Sequence, residues 1–269
     1  MSQLSAEEPV RVGVVGVWTE AKVSFLLYEL ATRCGIENLA TCSALTASAS
    51  RAQHFNALDQ LRKILGVNVF DSVGEFTSWL DPDSGPIALP KVSGGIAPQL
   101  VWDDEPLTLS EQDRAILGFL YRDSAKLFLD PLSGGFSGAL VLRVRAEDAL
   151  GHEQAPSVAK LGPRSLIAKE RVAFEQVESI LGNFAPSVRG FVDLGERAGL
   201  KYAYAGMGTG DVRTFKSVYE SDAPFSEVER ILRVVFEDVM SAFSRAAIYE
   251  RLPLLEYYGF AAHYADSVR

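Results

Sequence analysis

The sequence is poor in the residues that build metal sites and disulfide frameworks. It contains 2 cysteines and 3 histidines in 269 residues, and the histidines are too scattered for the spacing of metal ligands. It also lacks a signal-peptide pattern and any apolar run near ~18 residues. We therefore predict a cytoplasmic protein with no bound metal and no membrane partner.

Basic residues are also in deficit. The chain has 26 Lys and Arg against 35 Asp and Glu, which gives a formal net charge of −9, and it shows no basic stripe. Binding to nucleic acid requires clustered cations that neutralise phosphates, so we exclude nucleic acid as a partner. The 48% of hydrophobic residues is sufficient for the cores of one or two globular domains.

The first recognisable unit is a strand followed by a helix. The Val-rich run at 12–17 is too short for a helix and is typical of a buried parallel strand. Apolar residues then recur at helical spacing as far as Cys34, and Gly35 is placed to end the helix. The turn between the two elements is where many enzymes place a nucleophile.

That turn resembles a known catalytic motif. Its sequence, Gly16-Val17-Trp18-Thr19-Glu20-Ala21-Lys22-Val23, is similar to the G-V-x-T-x-x-C-V turn of the isochorismatase-like cysteine hydrolases. The elements that we predict downstream follow the order of the C-terminal half of that family: a strand at 39–45, a helix from Ser50 to Leu65 that ends at Gly66, a strand at 67–70 and a helix at 72–80. The resemblance covers about 10–80 and implies a partial Rossmann-like parallel sheet.

The hydrolase resemblance fails at the nucleophile. Lys22 stands where the family has its cysteine, and we find no upstream segment before residue 10 for the family's aspartate and lysine. Cys34 and Cys42 are expected to be inert packing residues. We interpret 1–81 as a truncated hydrolase half with a vestigial pocket at Trp18, Thr19 and Lys22. Lys22 itself is either a solvated lysine or a cation that binds a carboxylate or ligand anion.

The composition changes after residue 81. Residues 82–107 are rich in Pro, Gly and Ser, which is typical of a linker. Residues 108–130 then begin a helix whose apolar residues fall on one face, and we interpret this segment as a lead-in helix for the domain that follows.

The third region, 131–269, has the parts of a phosphate-binding site. A Gly-rich turn precedes an alternating strand, a second strand carries Lys160, and a helix follows with Glu170 and Glu175. A turn of this kind brings backbone N–H groups to phosphates, and a strand lysine held by a helix glutamate supplies a fixed cation. Glu170 is the first choice for the partner of Lys160, and Glu175 is the second. The proposed nucleotide-binding residues are Gly134, Gly135, Ser137, Gly138, Lys160 and Glu170.

This order of parts resembles the N-lobe of protein kinases and of aminoglycoside-phosphotransferase-type kinases. The resemblance implies an α+β domain that binds ATP or GTP with Mg²⁺, with a hinge at 207–210. The aspartate and asparagine motifs of phosphoryl transfer are not found after residue 215. Asp211, at the predicted hinge, is the one nearby acidic candidate. The chain instead continues into an amphipathic helix at 225–249 and an aromatic cluster at 252–260.

A second resemblance covers the same region. The runs Leu161-Gly162-Pro163-Arg164, Lys169-Glu170-Arg171 and Ala205-Gly206-Met207-Gly208 are similar to bacterial ternary complex associated domains. The resemblance implies nucleotide sensing or protein docking within a larger assembly, and we expect a non-catalytic regulatory or adaptor protein. A half Rossmann-like sheet also leaves an apolar face and a strand edge uncovered, so we expect a protein partner or a homodimer. Two alternatives stay open: an aminoglycoside-phosphotransferase-like small-molecule kinase, and an isochorismatase-like hydrolase that has lost its nucleophile.

Overall fold

The computed structural model describes residues 10–83, 85, 97–103, 105–132, 138–182, 186–193, 195–204 and 213–241. The chain divides into two units, residues 1–221 and residues 222–269. The first unit contains both of the larger sheets, and its mixed α/β architecture confirms the predicted fold class.

The first sheet is parallel, as predicted. Its strands are β1 (Arg11–Gly13), β3 (Asn38–Cys42) and β5 (Asn68–Phe70), in the order β1-β3-β5. The predicted strand at 12–17 is divided, because β2 (Gly16–Val17) leaves this sheet and pairs in parallel with β4 (Thr46–Ala47). Because β3 and β5 are parallel, their carboxyl ends lie at the same edge of the first sheet, where open α/β sheets usually bind ligands.

The helices of this half begin and end where the local sequence predicts. A π-helical turn at Thr19–Val23 continues into α1 (Ser24–Thr32), and α2 (Arg51–Leu65) and α3 (Val73–Leu80) follow β4 and β5. The Ser50 and Ser72 hydroxyls accept hydrogen bonds from backbone N–H groups in the first turns of α2 and α3. Gly66 ends α2 with a φ of 65°, a conformation that glycine adopts without steric cost.

The second sheet has six strands in the order β10-β11-β9-β8-β7-β6. The pair β6 and β7 is parallel, and every other neighbouring pair is antiparallel. The strands are β6 (Gln99–Trp102), β7 (Lys126–Pro131), β8 (Leu140–Glu147), β9 (Ser157–Pro163), β10 (Val188–Val192) and β11 (Arg197–Ala203). β6 lies within the 82–107 segment that the composition predicts to be a linker, so that segment is not wholly a linker.

Helices cover both faces of the second sheet. On one face α4 (Glu111–Leu120) packs its buried side chains Ile116, Leu117 and Leu120 against the strands. A Cβ at Gly199 would overlap Ile116, so glycine at this position lets α4 lie close to β11. On the other face α5 (Arg164–Leu181) packs against β9 and β11. The lead-in helix predicted within 108–130 is therefore α4, an integral layer of this sheet.

The remaining helices are short or exposed. α6 (Phe215–Tyr219) lies near the end of the first unit. In the second unit, α7 (Phe225–Arg233) continues into a π-helical segment at Val234–Val239, and neither has a buried residue. The helix predicted at 225–249 is seen as far as the description extends. Within the described part of the chain, no helix has the length and apolar character needed to cross a bilayer.

Candidate functional site

Lys160 and Glu170 form an ion pair on the α5 face of the six-stranded sheet. Lys160 Nζ lies 2.6 Å from Glu170 Oε2, and the two side chains are 19% and 29% exposed. The Tyr202 hydroxyl donates a hydrogen bond of 2.9 Å to the other carboxylate oxygen, Oε1. The carboxylate is therefore held from two strands, and the ammonium group is fixed at the centre of the sheet.

The alternation of β9 explains why Lys160 faces α5. Ala159 and Leu161 are fully buried under α4, so Lys160 points to the opposite face. Leu200 of β11 is paired directly with Lys160 and lies in the core beneath α5. Glu170 is in the second turn of α5, which brings its carboxylate over the same strand pair.

An apolar cavity of about 390 Å³ opens beside this ion pair. Glu170 lies at its edge, and its walls come from β9, α5, β11 and the ends of the neighbouring strands: Leu132, Val158, Phe174, Pro186, Tyr202 and Tyr204. The rings of Phe174 and Tyr202 meet edge to face, with centroids 5.6 Å apart. Apolar walls with a few polar groups at one side are typical of small-molecule sites.

A second cation lies on the same face of the sheet. Arg143 of β8 is paired in register with Val158, and its Nη2 lies 2.5 Å from Asp130 Oδ2. The Tyr204 hydroxyl and Asp130 raise the pKa of the guanidinium. The pKa of the Tyr202 hydroxyl is also raised, because burial and the Glu170 carboxylate both oppose a phenolate. Tyr202 therefore stays a hydrogen-bond donor.

The second candidate partner, Glu175, has a different role. It binds Arg171, whose Nη1 lies 2.9 Å from Glu175 Oε2, and Arg51, whose Nη1 lies 3.4 Å away. Arg171 also donates to Ser43 Oγ at 2.7 Å and to the Asp71 carbonyl at 3.1 Å. Arg171 is 4% exposed, so α5 inserts a buried guanidinium at the carboxyl ends of β3 and β5.

A second buried contact joins the two sheets. Asp193, just after β10, accepts a hydrogen bond of 2.8 Å from the backbone N–H of Val73 at the start of α3. Burial raises the pKa of the Asp193 carboxyl. A Cβ at Gly74 would lie 2.8 Å from the Asp193 carbonyl oxygen and 2.5 Å from Arg164 Nη1. Arg171 and Asp193 are the site residues that the sequence did not reveal, because their partners lie about half the chain away.

The three residues of the predicted hydrolase pocket differ in burial, because Thr19 is buried whereas Trp18 and Lys22 are exposed. The ring of Trp18 is exposed, and Lys22 Nζ lies over it, 4.7 Å from the ring centroid. Thr19 is fully buried, and its hydroxyl lies 2.9 Å from His54 Nδ1. Burial lowers the pKa of His54. The Thr19–His54 pair is thus buried, and Lys22 is exposed at the start of a helix.

The two cysteines differ in environment. Cys42 is fully buried in β3, and burial raises its pKa to about 11, as suits an inert packing residue. Cys34 is exposed, so the expectation that it packs in the interior is wrong. Among the described residues, no three His, Cys, Asp or Glu side chains are grouped to hold a metal ion.

Part of the predicted nucleotide site lies outside the described residues. This applies to Gly134, Gly135 and Ser137 of the Gly-rich turn, to the hinge at 207–210, to Asp211 and to the aromatic cluster at 252–260. Gly138, two residues before the start of β8, is described and has a φ of 68°, in the left-handed region that favours glycine.

The strands β7 to β11, which include the strand of Lys160, lie in the part of the chain that matches a known protein family. The family model of ternary complex associated domain 9 matches residues 125–269, more than half of the chain, and the match begins one residue before β7. The chain belongs to the ternary complex associated domain 9 family. The predicted likeness to ternary complex associated domains is thereby confirmed. No curated protein and no solved structure matches the chain.

Proposed function

We propose that this ternary complex associated domain protein is a non-catalytic regulator or adaptor that binds a nucleotide at Lys160. The observation that carries the proposal is the Lys160–Glu170 ion pair beside an apolar cavity. Protein kinases hold the phosphates of ATP with a strand lysine that a helix glutamate orients. The apolar cavity next to this pair offers space for a base, and ATP or GTP with Mg²⁺ is the ligand class.

The order of elements supports the same proposal. The strands β7, β8 and β9, the helix α5 and the strands β10 and β11 follow one another as the parts of a kinase-like N-lobe do, with Lys160 on the third strand and Glu170 on the helix. The segment between β7 and β8 is the Gly-rich one. The family description, a domain associated with ternary complexes, supports a role within an assembly that includes protein partners.

The junction between the sheets supports the absence of hydrolase activity. Arg171 and Glu175 occupy the carboxyl edge of the parallel sheet, where a hydrolase of this architecture would need an open cleft. Lys22, at the position of the nucleophile, is exposed and lies over Trp18. The parallel sheet then serves as a scaffold against which α5 is fixed.

Calorimetric titration of the whole chain with ATP and GTP, with and without Mg²⁺, tests the proposal. Loss of a charge-assisted contact worth about 1.5–3 kcal/mol predicts that Lys160→Ala weakens binding by about 10- to 150-fold. Lys126→Ala is the matched control, because Lys126 is also an ion-paired lysine of this sheet but lies at the far end of β7. Equal affinity of Lys160→Ala and the unchanged protein would refute the site. Nucleotide turnover above the buffer rate would refute the non-catalytic role and favour a small-molecule kinase.

A further inference from the structure

A polar cavity lies between α2 and α5, at the carboxyl end of β5. Its volume is about 290 Å³, close to the lower end of the range of small-molecule sites, which is about 300–1,000 Å³. It shares no lining residue with the cavity beside Lys160. Its polar lining residues come from the two helices and from the strand end: Asn56, Asp59, Arg62, Asp71 and Gln176.

The fold explains why polar groups converge here. Asn56, Asp59 and Arg62 are three residues apart on α2 and so share one face, and Val172 and Gln176 are four apart on α5 and share another. Both faces line the cavity. The carboxyl end of β5 lies between them, at the edge where open α/β sheets bind ligands. The cavity is therefore enclosed by parts of both halves of the first unit.

Two opposite charges line this cavity without pairing to each other. Arg62 Nη2 donates a long hydrogen bond of 3.4 Å to the carbonyl of Val69, and a guanidinium has five N–H donors. The Asp71 carboxylate accepts an equally long bond of 3.4 Å from Ser43 Oγ. Neither group forms an ion pair with another described residue. Both therefore keep hydrogen-bonding capacity for a ligand in the cavity.

The signs of these charges indicate the class of ligand. The third charged group of the lining, Asp59, is already neutralised by Lys63, whose Nζ lies 2.9 Å from Asp59 Oδ2. A simple anion in the cavity would be attracted by Arg62 but repelled by Asp71, and a simple cation would meet the reverse. A small molecule that carries one charge of each sign satisfies both groups at once.

We propose that this cavity binds a small zwitterion of the α-amino-acid class. Arg62 binds the ligand carboxylate, because a guanidinium presents parallel N–H groups that match the two oxygens of a carboxylate. Asp71 binds the ligand ammonium group. The carboxamides of Asn56 and Gln176 offer both donors and acceptors to the rest of the ligand. This site is independent of the proposed nucleotide site.

Calorimetric titration of the whole chain with each standard L-amino acid, at concentrations up to the millimolar range, is the first test. We expect at least one to bind. Its carboxamide and its N-acetyl derivative each lack one of the two charges, and we expect each to bind about tenfold more weakly or worse. The absence of binding by every standard amino acid, or equal binding of either derivative, would overturn the proposal.

Two variants assign each charge of the ligand to its partner. Arg62→Gln should bind the amino acid and its carboxamide equally but still discriminate against the N-acetyl derivative, and Asp71→Asn should show the opposite pattern. Arg33→Gln is the matched control, since Arg33 is an exposed arginine at the end of α1, outside the cavity, and it should keep both preferences. If both cavity variants also keep both preferences, Arg62 and Asp71 do not bind the ligand.

Discussion

Glu170 and Arg171 are consecutive residues of α5 that bind opposite halves of the chain. Glu170 holds Lys160 in the six-stranded sheet at 2.6 Å, and Arg171 holds Ser43 at the end of the parallel sheet at 2.7 Å. α5 thus contributes residues both to the proposed nucleotide site and to the junction between the two sheets, which Arg171 and Asp193 form. A change in the position of α5 at one of these contacts must be accommodated at the other.

The first prediction concerns the buried charge at the junction. Arg171→Met leaves Glu175 buried with its main partner removed, and loss of one member of a buried ion pair costs about 3–5 kcal/mol. We expect the free energy of unfolding in urea to fall by about that amount. The double variant Arg171→Met with Glu175→Leu should recover much of the loss, because no buried charge is then left unpaired and Arg51, which also contacts Glu175, is 52% exposed. Lys216→Ala, which removes an exposed pair with Glu220, is the control and should change stability by less than about 1 kcal/mol. An equally small effect of Arg171→Met would contradict this account of the junction.

The second prediction concerns the coupling of Lys160 and Glu170. Because their charged atoms are in contact, the effects of Lys160→Met and Glu170→Gln on unfolding free energy should not add. A double-mutant cycle is expected to give a coupling energy of about 0.5–3 kcal/mol. Tyr202→Phe removes the hydroxyl that donates to the same Glu170 carboxylate. A cycle that combines Tyr202→Phe with Glu170→Gln should therefore also give non-additive effects on the unfolding free energy. Additive effects in the cycle would show that the contact is not maintained in solution.

The third prediction follows from His54. Burial, with Arg51 and Arg171 nearby, lowers the pKa of His54, so the unfolded chain binds more protons than the folded chain below about pH 6.5. The contribution of His54 to stability is therefore complete above that pH and is lost as pH falls. Urea unfolding between about pH 5 and 8 should show a smaller acid loss for His54→Gln than for the unchanged protein. A pH profile of His54→Gln identical to that of the unchanged protein would argue against a neutral buried His54.

The fourth prediction concerns the backbone at Trp18. Its φ of 66° makes it the one described non-glycine residue in the left-handed region, and its carbonyl accepts hydrogen bonds from the N–H groups of Ala21 and Val23. Trp18→Ala removes the indole but keeps a Cβ, so residue 18 still adopts a left-handed conformation that costs an L residue about 1 kcal/mol. We therefore expect Trp18→Gly to be more stable than Trp18→Ala by up to about that amount, as measured by thermal unfolding. The opposite order would mean that this turn relaxes to a negative φ.

Local sequence signals predicted the boundaries of the helices well. Ser50, Ser72 and Ser110 each cap a helix through a hydroxyl that bonds a backbone N–H three residues later, and such caps depend only on neighbouring residues. The sequence also predicted the placement of Lys160 opposite Glu170, for a similar reason. It needs only the two-residue period of a strand and the turn of the helix that follows.

The contacts of Arg171 and Asp193 that join the two sheets could not be predicted from local sequence. Arg171 was interpretable only as part of a charged helix face, because its acceptor on Ser43 lies 128 residues away. Asp193 and Val73 are separated by 120 residues, and His54 and Thr19 by 35. β6 was hidden for a different reason: four residues at the edge of a sheet within a Pro-rich segment leave little periodic signal. Contacts set by tertiary packing are the ones that a single sequence does not encode locally.

The glycine at position 74 limits how this architecture can be rearranged in evolution. A side chain there would meet Arg164, at the start of α5, and the carbonyl of Asp193, just after β10. Recombination could place a different α/β segment before residue 97. That segment would then need a glycine against Arg164 and Asp193, as Gly74 is, and a serine that accepts a hydrogen bond from Arg171, as Ser43 does. The two halves are fused by matched surfaces rather than joined as interchangeable modules, and they are expected to be inherited together.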